Sequence, residues 1–438
     1  MGAIGKMTTE QKQIIGKTRS ICPICGKQIA AERVKIGEEI FLEKTCPKHG
    51  FWSTVIWRGP VNFLEWIGES AALGDDENLG CPYDCGICGE HRQQTCCVLY
   101  EVTCRCNLAC PYCFAEGGLG DDIPMEQIKA DLARLIKPGQ TFLQLSGGEP
   151  TVRDDLPQII RLAREMGCKY IQVNSNGLRF ADDEPYLAAC AEAGLSFVFM
   201  QFDGTSDEIQ IAMRGEPLLE RKKQAIDNCA KYKIGVTLVP TLVPGVNTDD
   251  IGNIIRFGSS LSPTVRGVHF QPVSYFGRYP EPPANADRFT LGELLAALPL
   301  QTDNGVKLTN IAPSHCDHAL CGFHSSFIVR HDGSLLALTR RDSGGCCCGA
   351  TTAEQNREYI GRRWQRSADE SPCPEDADDF EKFLNEARVY SFTVTAMAFQ
   401  DAYNLDIERL RQCSLHVYDE GRIKPFCARY LTLSGGQA

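Results

Sequence analysis

The stretch Val98-Leu-Tyr-Glu-Val-Thr-Cys-Arg-Cys106-Asn-Leu-Ala-Cys110-Pro-Tyr-Cys113 decides the fold of this 438-residue chain. Its apolar opening, residues 98–103, predicts a buried strand. A loop with four cysteines follows at once, and the last three of them are Cys106, Cys110 and Cys113. Enzymes built on α/β barrels keep their reactive groups at the C-terminal ends of the strands. Cys106, Cys110 and Cys113 are spaced to hold three irons of a 4Fe-4S cube from one tight loop. The fourth iron would then be open to a ligand from outside the chain.

The sequence after residue 98 alternates apolar runs with amphipathic helical stretches. The predicted strands are 98–103, 142–145, 170–173, 196–202, 235–241 and 267–272. The predicted helices between them are 124–136, 153–166, 184–193, 219–232 and 248–258. Such alternation is typical of β-α units in a parallel sheet. We therefore expect an α/β fold with a partial (β/α)6 TIM-like barrel.

Ser146-Gly-Gly-Glu-Pro150 closes the second predicted strand. Glycine at 147 and 148 lets the backbone approach a ligand closely, and Glu149 is an acceptor for an ammonium group. A zinc loop or a set of buried thiols is the competing interpretation of the three cysteines. We favour a cluster with a bound cofactor, because the cysteine loop and the Gly147-Gly148-Glu149 segment follow neighbouring strands.

Polar residues also end the later predicted strands. Asn174 and Asn176 close the third strand with groups that could reach a ribose, or they form a plain Asn-Gly turn. Gln201 and Asp203 end the fourth strand, where contact with a ribose or substrate competes with the capping of a helix. Gln271 ends the sixth strand. These residues are candidates for cofactor binding.

The first 60 residues contain two metal-binding knuckles. Cys22-Pro-Ile-Cys25 and Cys46-Pro-Lys-His49 are separated by residues 26–45. Four such ligands can surround one ion tetrahedrally, as in zinc ribbons and rubredoxin-like iron sites. The ligand types do not choose between zinc and mononuclear iron, and His49 is either a ligand or a nearby surface histidine.

Two further cysteine groups predict auxiliary 4Fe-4S clusters. In the first, Cys96, or Cys97 in its place, completes a set of four with Cys81, Cys85 and Cys88. A cube closed by four cysteines suits electron transfer or structure. The second group consists of Cys316, Cys321, Cys413 and Cys427. Its last two members are ordinary buried thiols in the competing interpretation, and the cysteines at 346–348 stay unassigned.

These motifs divide the chain into four predicted regions. Residues 1–60 form a zinc or rubredoxin-like knuckle module, and residues 61–97 form an auxiliary iron-sulfur segment. Residues 98–278 form the barrel. Residues 279–438 form a C-terminal region that holds the second auxiliary cluster and contacts the substrate.

The composition argues against several classes of protein. A formal net charge of -11 without a long basic run argues against binding to nucleic acid. No stretch reaches the roughly 18 apolar residues of a membrane span, and residues 1–20 lack the apolar core of a signal peptide, so we expect a cytoplasmic protein. Because the cytosol keeps thiols reduced, the 23 cysteines indicate metal ligation instead of disulfides.

The cysteine triad followed by Gly147-Gly148-Glu149 resembles the radical S-adenosylmethionine (SAM) superfamily. The resemblance implies that the triad holds a 4Fe-4S cluster whose open iron chelates the amino and carboxylate groups of SAM. It also implies that the Gly-Gly-Glu segment contacts the methionine moiety. Reduction by the cluster then cleaves SAM, and the resulting 5′-deoxyadenosyl radical abstracts hydrogen from the substrate.

The remaining motifs are similar to one branch of that superfamily. The knuckles, the Cys81 to Cys96 segment, residues 399–406 and residues 421–427 carry this resemblance. The branch contains the archaeal tetraether lipid synthases and proteins described as class D radical SAM methyltransferases acting on a pterin. It implies, as our main hypothesis, radical coupling of unactivated sp3 carbons in two lipid chains. The alternative is transfer of a methyl group to a pterin-like small substrate or a peptide.

A lipid substrate would need an apolar tunnel and would bring peripheral contact with the membrane. Residues 197–200, Phe270 and residues 392–399 are candidates for its lining, although each also suits the core. In either case we expect a reducing partner such as ferredoxin or flavodoxin. A zinc-knuckle binding protein without catalysis is a hypothesis from a different class, and the Gly-Gly-Glu segment argues against it. The sequence leaves the substrate, the electron donor and the oligomeric state open.

Overall fold

The computed structural model describes residues 12–68, 80–83, 87–118, 120–314, 316–341, 352–367, 370 and 377–434. The strands β1 to β17 are, in order, Gln13–Ile21, Gln28–Ile36, Glu39–Cys46, Gly50–Trp57, Cys97–Thr103, Phe142–Gly147, Tyr170–Ser175, Phe197–Gln201, Gly235–Val239, Thr241–Leu242, Val265–Pro272, Ala312–Pro313, Gly322–Val329, Leu335–Ala337, Ser391–Met397, Leu415–Asp419 and Arg422–Pro425. The helices α1 to α13 are Phe63–Ile67, Met125–Leu135, Leu156–Glu165, Leu178–Asp182, Glu184–Glu192, Asp207–Arg214, Leu219–Lys231, Ile251–Ser260, Leu291–Gln301, Ala353–Trp364, Asp379–Val389, Ile407–Arg411 and Phe426–Arg429.

Strands β1 to β4 form a separate antiparallel sheet, which we call the ribbon. The first hairpin closes with Ile21 opposite Gln28, and the third strand ends with Cys46 opposite Gly50. Because β1 and β3 run in the same direction, the turns that follow them lie at the same end of the ribbon. These turns carry the two predicted knuckles.

The second sheet contains a parallel array in the order β16, β5, β6, β7, β8, β9, β11, β15. Strands β5 to β9 and β11 coincide with the six predicted strands to within a few residues. Helices α2, α3, α5, α7 and α8 coincide with the five predicted helices. The prediction of an α/β fold with a partial β/α barrel is therefore confirmed.

The core lies on both faces of this parallel array. Every residue of β6 and β9 is buried, as expected for a parallel sheet covered by helices. In α3, Leu156, Ile159, Ile160 and Ala163 are buried at helical spacing. They form the apolar stripe with which the helix packs on the sheet.

Strands from beyond residue 279 extend the barrel at both edges. Strand β15 pairs in parallel with β11, and β16 pairs in parallel with β5. Strand β13 then pairs with β15 in the antiparallel direction, as β17 does with β16. The C-terminal region therefore continues the sheet of the barrel. The boundaries of the four regions given in the sequence analysis stay predictions.

Candidate active site

The cysteine loop after β5 faces a cavity at the C-terminal ends of the parallel strands. This strand-end cavity has a volume of about 200 Å³, and Cys106, Cys110 and Cys113 all line it. Burial raises the pKa of Cys106 to about 11. Such a thiol gives up its proton when it binds a metal. Three thiols on one wall of a cavity are therefore a donor set that fits an iron-sulfur cube with one open corner.

Gly147 and Gly148 hold the end of β6 against this loop, and both line the strand-end cavity. A Cβ atom on Gly147 would lie 2.2 Å from the carbonyl oxygen of Thr103, and one on Gly148 would lie 2.2 Å from that of Arg105. The amide of Gly148 donates to Thr103 at 2.9 Å, and that of Glu149 donates to Arg105 at 2.8 Å. Larger residues would push the strand end away from the loop.

Glu149 lines the cavity, but its carboxylate is already held by the chain. One oxygen accepts from the amide and hydroxyl of Thr151 at 3.1 and 2.7 Å and from the hydroxyl of Ser175 at 2.8 Å. The other accepts from the amide of Asn176 at 2.7 Å. These four hydrogen bonds lower the pKa of Glu149, but burial outweighs them and the pKa is raised. The second oxygen accepts one hydrogen bond within the described residues, so it keeps a lone pair for the ammonium group of a cofactor.

Asn174 and Asn176, at the end of β7, both line the strand-end cavity. The Asn176 side chain accepts from the amide of Leu178 at 3.0 Å and donates to Asn107 of the cysteine loop at 2.7 Å. Gly177 follows with a φ of +82°. The segment is therefore an Asn-Gly turn that also forms part of the cavity wall, and its contact with a ribose stays a prediction.

Gln201 and Gln271, at the ends of β8 and β11, line the same cavity. The Gln201 side-chain oxygen accepts from Lys222 at 2.9 Å, whereas its amide nitrogen has no partner within the described residues. Lys222 also donates to the backbone carbonyls of Asn176 and Gln201, at 3.1 and 2.7 Å. Burial lowers the pKa of Lys222 to about 7. Lys222 therefore orients Gln201 so that its NH2 group is available to a ligand.

Asp203 does not line the cavity, in contrast to the prediction of a direct contact with the cofactor. Its two oxygens accept from Arg214 at 2.7 and 2.8 Å, and one also accepts from the amide of Thr241 at 3.1 Å. Arg214 itself lines the cavity and lies beside the thiol of Cys110. Asp203 thus positions a cation at the cluster loop. Sequence analysis missed both Arg214 and Lys222, whose only signal is a position on the helices that follow β8.

A second and larger cavity continues into the barrel from the first. This lumen has a volume of about 530 Å³ and shares Phe114, Asn174, Phe199, Gln271, Phe399 and Phe426 with the strand-end cavity. Polar and aromatic side chains make up much of its wall, among them Gln144, His269, His324, Asn356, Tyr359, Arg363 and Trp364. The candidates for a lipid tunnel are divided: Phe197, Met200, Phe270 and Phe392 lie in the core, whereas the lumen is lined by Phe199, Thr393, Thr395, Ala396, Met397 and Phe399.

The lumen is also lined by auxiliary cysteines. Cys96, Cys97, Cys316 and Cys321 all reach it. The Cys96 thiol contacts that of Cys316 and raises its pKa, and Asn356 donates to the Cys96 sulfur at 3.3 Å. Cys96 was predicted to join Cys81, but Cys81 packs against Ile407 beside the ribbon. Cys96, directly before β5, lines the lumen, and its grouping with Cys81, Cys85 and Cys88 stays a prediction. Cys88 is half-buried, and Cys85 lies outside the described residues.

The other predicted auxiliary group, Cys316, Cys321, Cys413 and Cys427, stays a prediction. Burial raises the pKa of Cys413, and the neighbouring Asp317, Cys427 and Cys321 increase it further. The thiol of Cys413 donates to the carbonyl of Leu415 at 3.1 Å, and that of Cys427 accepts from the amide of Gln400 at 3.3 Å. Three of the four cysteines are therefore neighbours, while Cys316 pairs with Cys96. Residues 346–348 lie outside the described residues.

The ribbon brings its four predicted ligands within reach of one ion. The donor atoms of Cys22, Cys25, Cys46 and His49 lie within 4.8 Å of one another, and no other group in the described part of the chain does so. The Nδ1 atom of His49 lies 3.4 Å from the sulfur of Cys22 and 3.5 Å from that of Cys46. Backbone amides of the turn, that of Lys48 first, lower the pKa of Cys46 to about 6. The set fits a tetrahedral zinc or iron ion.

Comparison with known proteins gives two family matches and one long relative. A radical SAM superfamily model matches residues 100–258, and a model of the HMPTM N-terminal zinc ribbon domain matches residues 14–58. The 7,8-dihydro-6-hydroxymethylpterin dimethyltransferase of Methanocaldococcus jannaschii is 34% identical over 477 residues, which cover 95% of this chain and 93% of that protein.

Two further similarities cover less of the chain. A probable GTP 3′,8-cyclase of Methanothermobacter thermautotrophicus is 30% identical over 162 residues, which cover 36% of this chain and 52% of that protein. Among solved structures, SuiB of Streptococcus suis bound to S-adenosylmethionine gives a TM-score of 0.38 at 13% identity, and the match covers 48% of each chain.

Proposed function

Because the chain belongs to the radical SAM superfamily, in the family of the 7,8-dihydro-6-hydroxymethylpterin dimethyltransferase, we propose that it is a class D-type radical SAM methyltransferase acting on a pterin-like heterocycle. The long relative is a pterin enzyme, and it therefore favours the methyl-transfer alternative over the main hypothesis of lipid coupling. The chain is accordingly an enzyme that uses a 4Fe-4S cluster and SAM.

The lumen is the observation that carries the choice of substrate. Its volume of about 530 Å³ suits one small molecule. Aromatic rings such as Phe199 and Trp364 can stack on a flat heterocycle, and polar groups such as Gln144 and His269 can bond to its edge. Two long hydrocarbon chains would leave these polar groups without partners, which costs free energy. No helix in the described ranges is both long and apolar enough to cross a membrane.

The cofactors supply the radical chemistry: a bound 4Fe-4S cluster reduces SAM to yield a 5′-deoxyadenosyl radical, which takes a hydrogen atom from a carbon centre. Cys106, Cys110 and Cys113 would hold the cluster. Arg214, fixed by Asp203 beside Cys110, offers a positive charge for the carboxylate of SAM. The free NH2 group of Gln201 offers a donor to the nucleoside.

The position of the auxiliary cysteines supports a substrate held between two metal centres. Phe114, Asn174 and Gln271 border both cavities, so a molecule in the lumen lies next to the cofactor site. Cys96 and Cys316 reach the same lumen. An auxiliary cluster on these thiols would face the substrate, and an external reductant would supply electrons.

Product analysis tests the proposal directly. Anaerobically reconstituted protein is incubated with SAM, a reductant, 7,8-dihydro-6-hydroxymethylpterin and a one-carbon donor, which is either further SAM or a methylene-carrying tetrahydropterin, and mass spectrometry follows 5′-deoxyadenosine and the pterin. We expect 5′-deoxyadenosine together with a pterin that has gained one or two methyl groups. A parallel incubation with archaeal-type diether lipid should give no cross-linked product. Cross-linked lipid with an unchanged pterin would restore the lipid-coupling hypothesis.

Cys110→Ala provides the matched test of the cysteine triad. Removal of one of three thiolates should abolish 5′-deoxyadenosine formation, because the open cube is no longer held. Iron and sulfide analysis should show loss of one cluster and retention of the auxiliary iron. Cys229→Ala, which changes a buried thiol on α7 away from both cavities, should keep activity. SAM cleavage that persists in Cys110→Ala would contradict the assignment.

A further inference from the structure

His269 is a buried imidazole in the wall of the lumen. It lies on β11 two residues before Gln271, so the two side chains point to the same face of the strand. His269 is therefore one side-chain layer deeper in the barrel than the cofactor-facing glutamine. Its ring lies 5.1 Å from that of Phe199 and 6.1 Å from that of Trp364, between centroids, and both aromatic residues line the lumen. Only 8% of the residue is exposed.

His269 makes its hydrogen bond within the described residues through Nδ1. This atom lies 2.8 Å from the hydroxyl oxygen of Thr395 on the neighbouring strand β15. The same hydroxyl lies 3.4 Å from the carbonyl oxygen of Val268, and when it donates there its oxygen accepts from an Nδ1–H group. Nε2 is then left with a bare lone pair, and it has no hydrogen-bond partner within the described residues. Burial lowers the pKa of His269 to about 3, and the ring is accordingly neutral near pH 7.

We propose that Nε2 of His269 is the acceptor that recognises an N–H or O–H group on the substrate heterocycle, and that Thr395 is the positioning residue that keeps Nε2 unprotonated. This inference rests on the proposed function, because it takes the lumen as the substrate site. A neutral acceptor beside the aromatic rings of Phe199 and Trp364 discriminates strongly, since a ligand without the matching donor leaves its lone pair unpaired.

Binding of 7,8-dihydro-6-hydroxymethylpterin to the cluster-loaded protein tests the proposal. Equilibrium dialysis compares wild type with His269→Phe, which keeps a ring without nitrogen, and with His269→Gln, whose amide oxygen can reach the place of Nε2. We expect affinity to fall about 10-fold or more in His269→Phe and to recover in His269→Gln. Thr395→Val should weaken binding, and Thr395→Ser should restore it.

Thr237→Val is the matched control for Thr395→Val. Thr237 is fully buried on β9, its hydroxyl has no partner within the described residues, and it does not line the lumen. The control should bind the pterin as wild type does. The change that SAM causes in the electron paramagnetic resonance spectrum of the reduced protein should be the same in every variant, which shows that the fold and the cofactor site are intact.

The outcomes separate this inference from the proposed function. Equal pterin affinity in wild type and His269→Phe would overturn the role of His269 alone. If His269→Phe lost both the SAM-induced spectral change and the affinity for the pterin, His269 would be needed for folding. That result would also overturn its role as the acceptor. A wild-type protein that does not bind the pterin would overturn both the proposed function and the inference that rests on it.

Discussion

The carboxylate of Glu149 joins three parts of the site through four hydrogen bonds. Its donors belong to Thr151 after β6 and to Ser175 and Asn176 at the end of β7. Asn176 in turn donates to Asn107 of the cysteine loop. Three of these hydrogen bonds reach one oxygen and the fourth reaches the other, so the chain fixes the orientation of the carboxylate and leaves one lone pair of the second oxygen free. We infer that Glu149 holds the strand ends together around the cofactor site.

Glu149→Gln should therefore destabilise the protein even without cofactor. A glutamine NH2 group would face one of the four donors, and a hydrogen bond to a charged group would be replaced by a repulsive contact. We expect the free energy of unfolding to fall by about 2 kcal/mol, measured by denaturant titration. Glu38→Gln is the control, because its side chain is 92% exposed on the ribbon. Unchanged stability in Glu149→Gln would contradict the structural role.

At the scale of elements, the sequence predicts those strands and helices whose apolar residues repeat at regular spacing within a short segment. The six barrel strands and five helices were found because buried strands and amphipathic helices repeat in order along the chain. Strands β15 and β16 were not found, since their partners β11 and β5 are far away in sequence. For the same reason the triad and Gly-Gly-Glu could be read from the sequence, whereas Arg214, Lys222 and the pairing of Cys96 with Cys316 depend on tertiary contacts.

The close packing of Gly148, after β6, on the backbone of the cysteine loop gives a second prediction. In Gly148→Ala the new methyl group would lie 2.2 Å from the carbonyl oxygen of Arg105, which is backbone and cannot rotate away. We expect a loss of about 1–3 kcal/mol in stability and weaker SAM binding, seen as a smaller spectral change on adding SAM. Gly16→Ala, whose methyl group would meet only the Arg33 side chain at 3.5 Å, should leave both unchanged. Normal SAM binding in Gly148→Ala would argue against the close joint.

At the scale of the whole molecule, buried polar contacts dock the ribbon onto the C-terminal region. Arg33 donates to Asp406 at 3.0 and 2.7 Å and also pairs with Glu408. Thr18 donates to Asp406 at 2.7 Å, and Lys44 donates to the carbonyl of Ala402 at 2.9 Å. Burial, the largest single influence, works to raise the pKa of Asp406, but Arg33, Thr18 and His318 together outweigh it and the pKa is lowered. The ribbon is thus fixed to the segment that leads into β16.

Asp406→Asn should uncouple the ribbon from the barrel. Removing one partner of a buried ion pair costs about 3 kcal/mol, whereas Lys12→Met, which breaks the exposed pair with Glu43, should cost less than about 1 kcal/mol. Because the pKa of Asp406 is lowered in the fold, its contribution is present above the unfolded value of about 4 and is lost as the pH falls through the folded value. The difference between wild type and variant in denaturant titrations should therefore shrink in acid.

Removal of the ion from the ribbon should destabilise the contact between the ribbon and the C-terminal region more than Asp406→Asn does. The knuckles close turns of a small sheet whose packing alone gives little stability, so the ion contributes directly to its folding. After treatment with a zinc chelator, hydrogen exchange should accelerate in β1 to β4 and in residues 401–411, which lose their ribbon contacts. Strands β6 to β9 should stay protected, because their partners lie within the barrel. Metal analysis before and after treatment identifies the ion, and added ion should restore protection. Unchanged exchange in residues 401–411 would mean that the docking contacts persist without a folded ribbon.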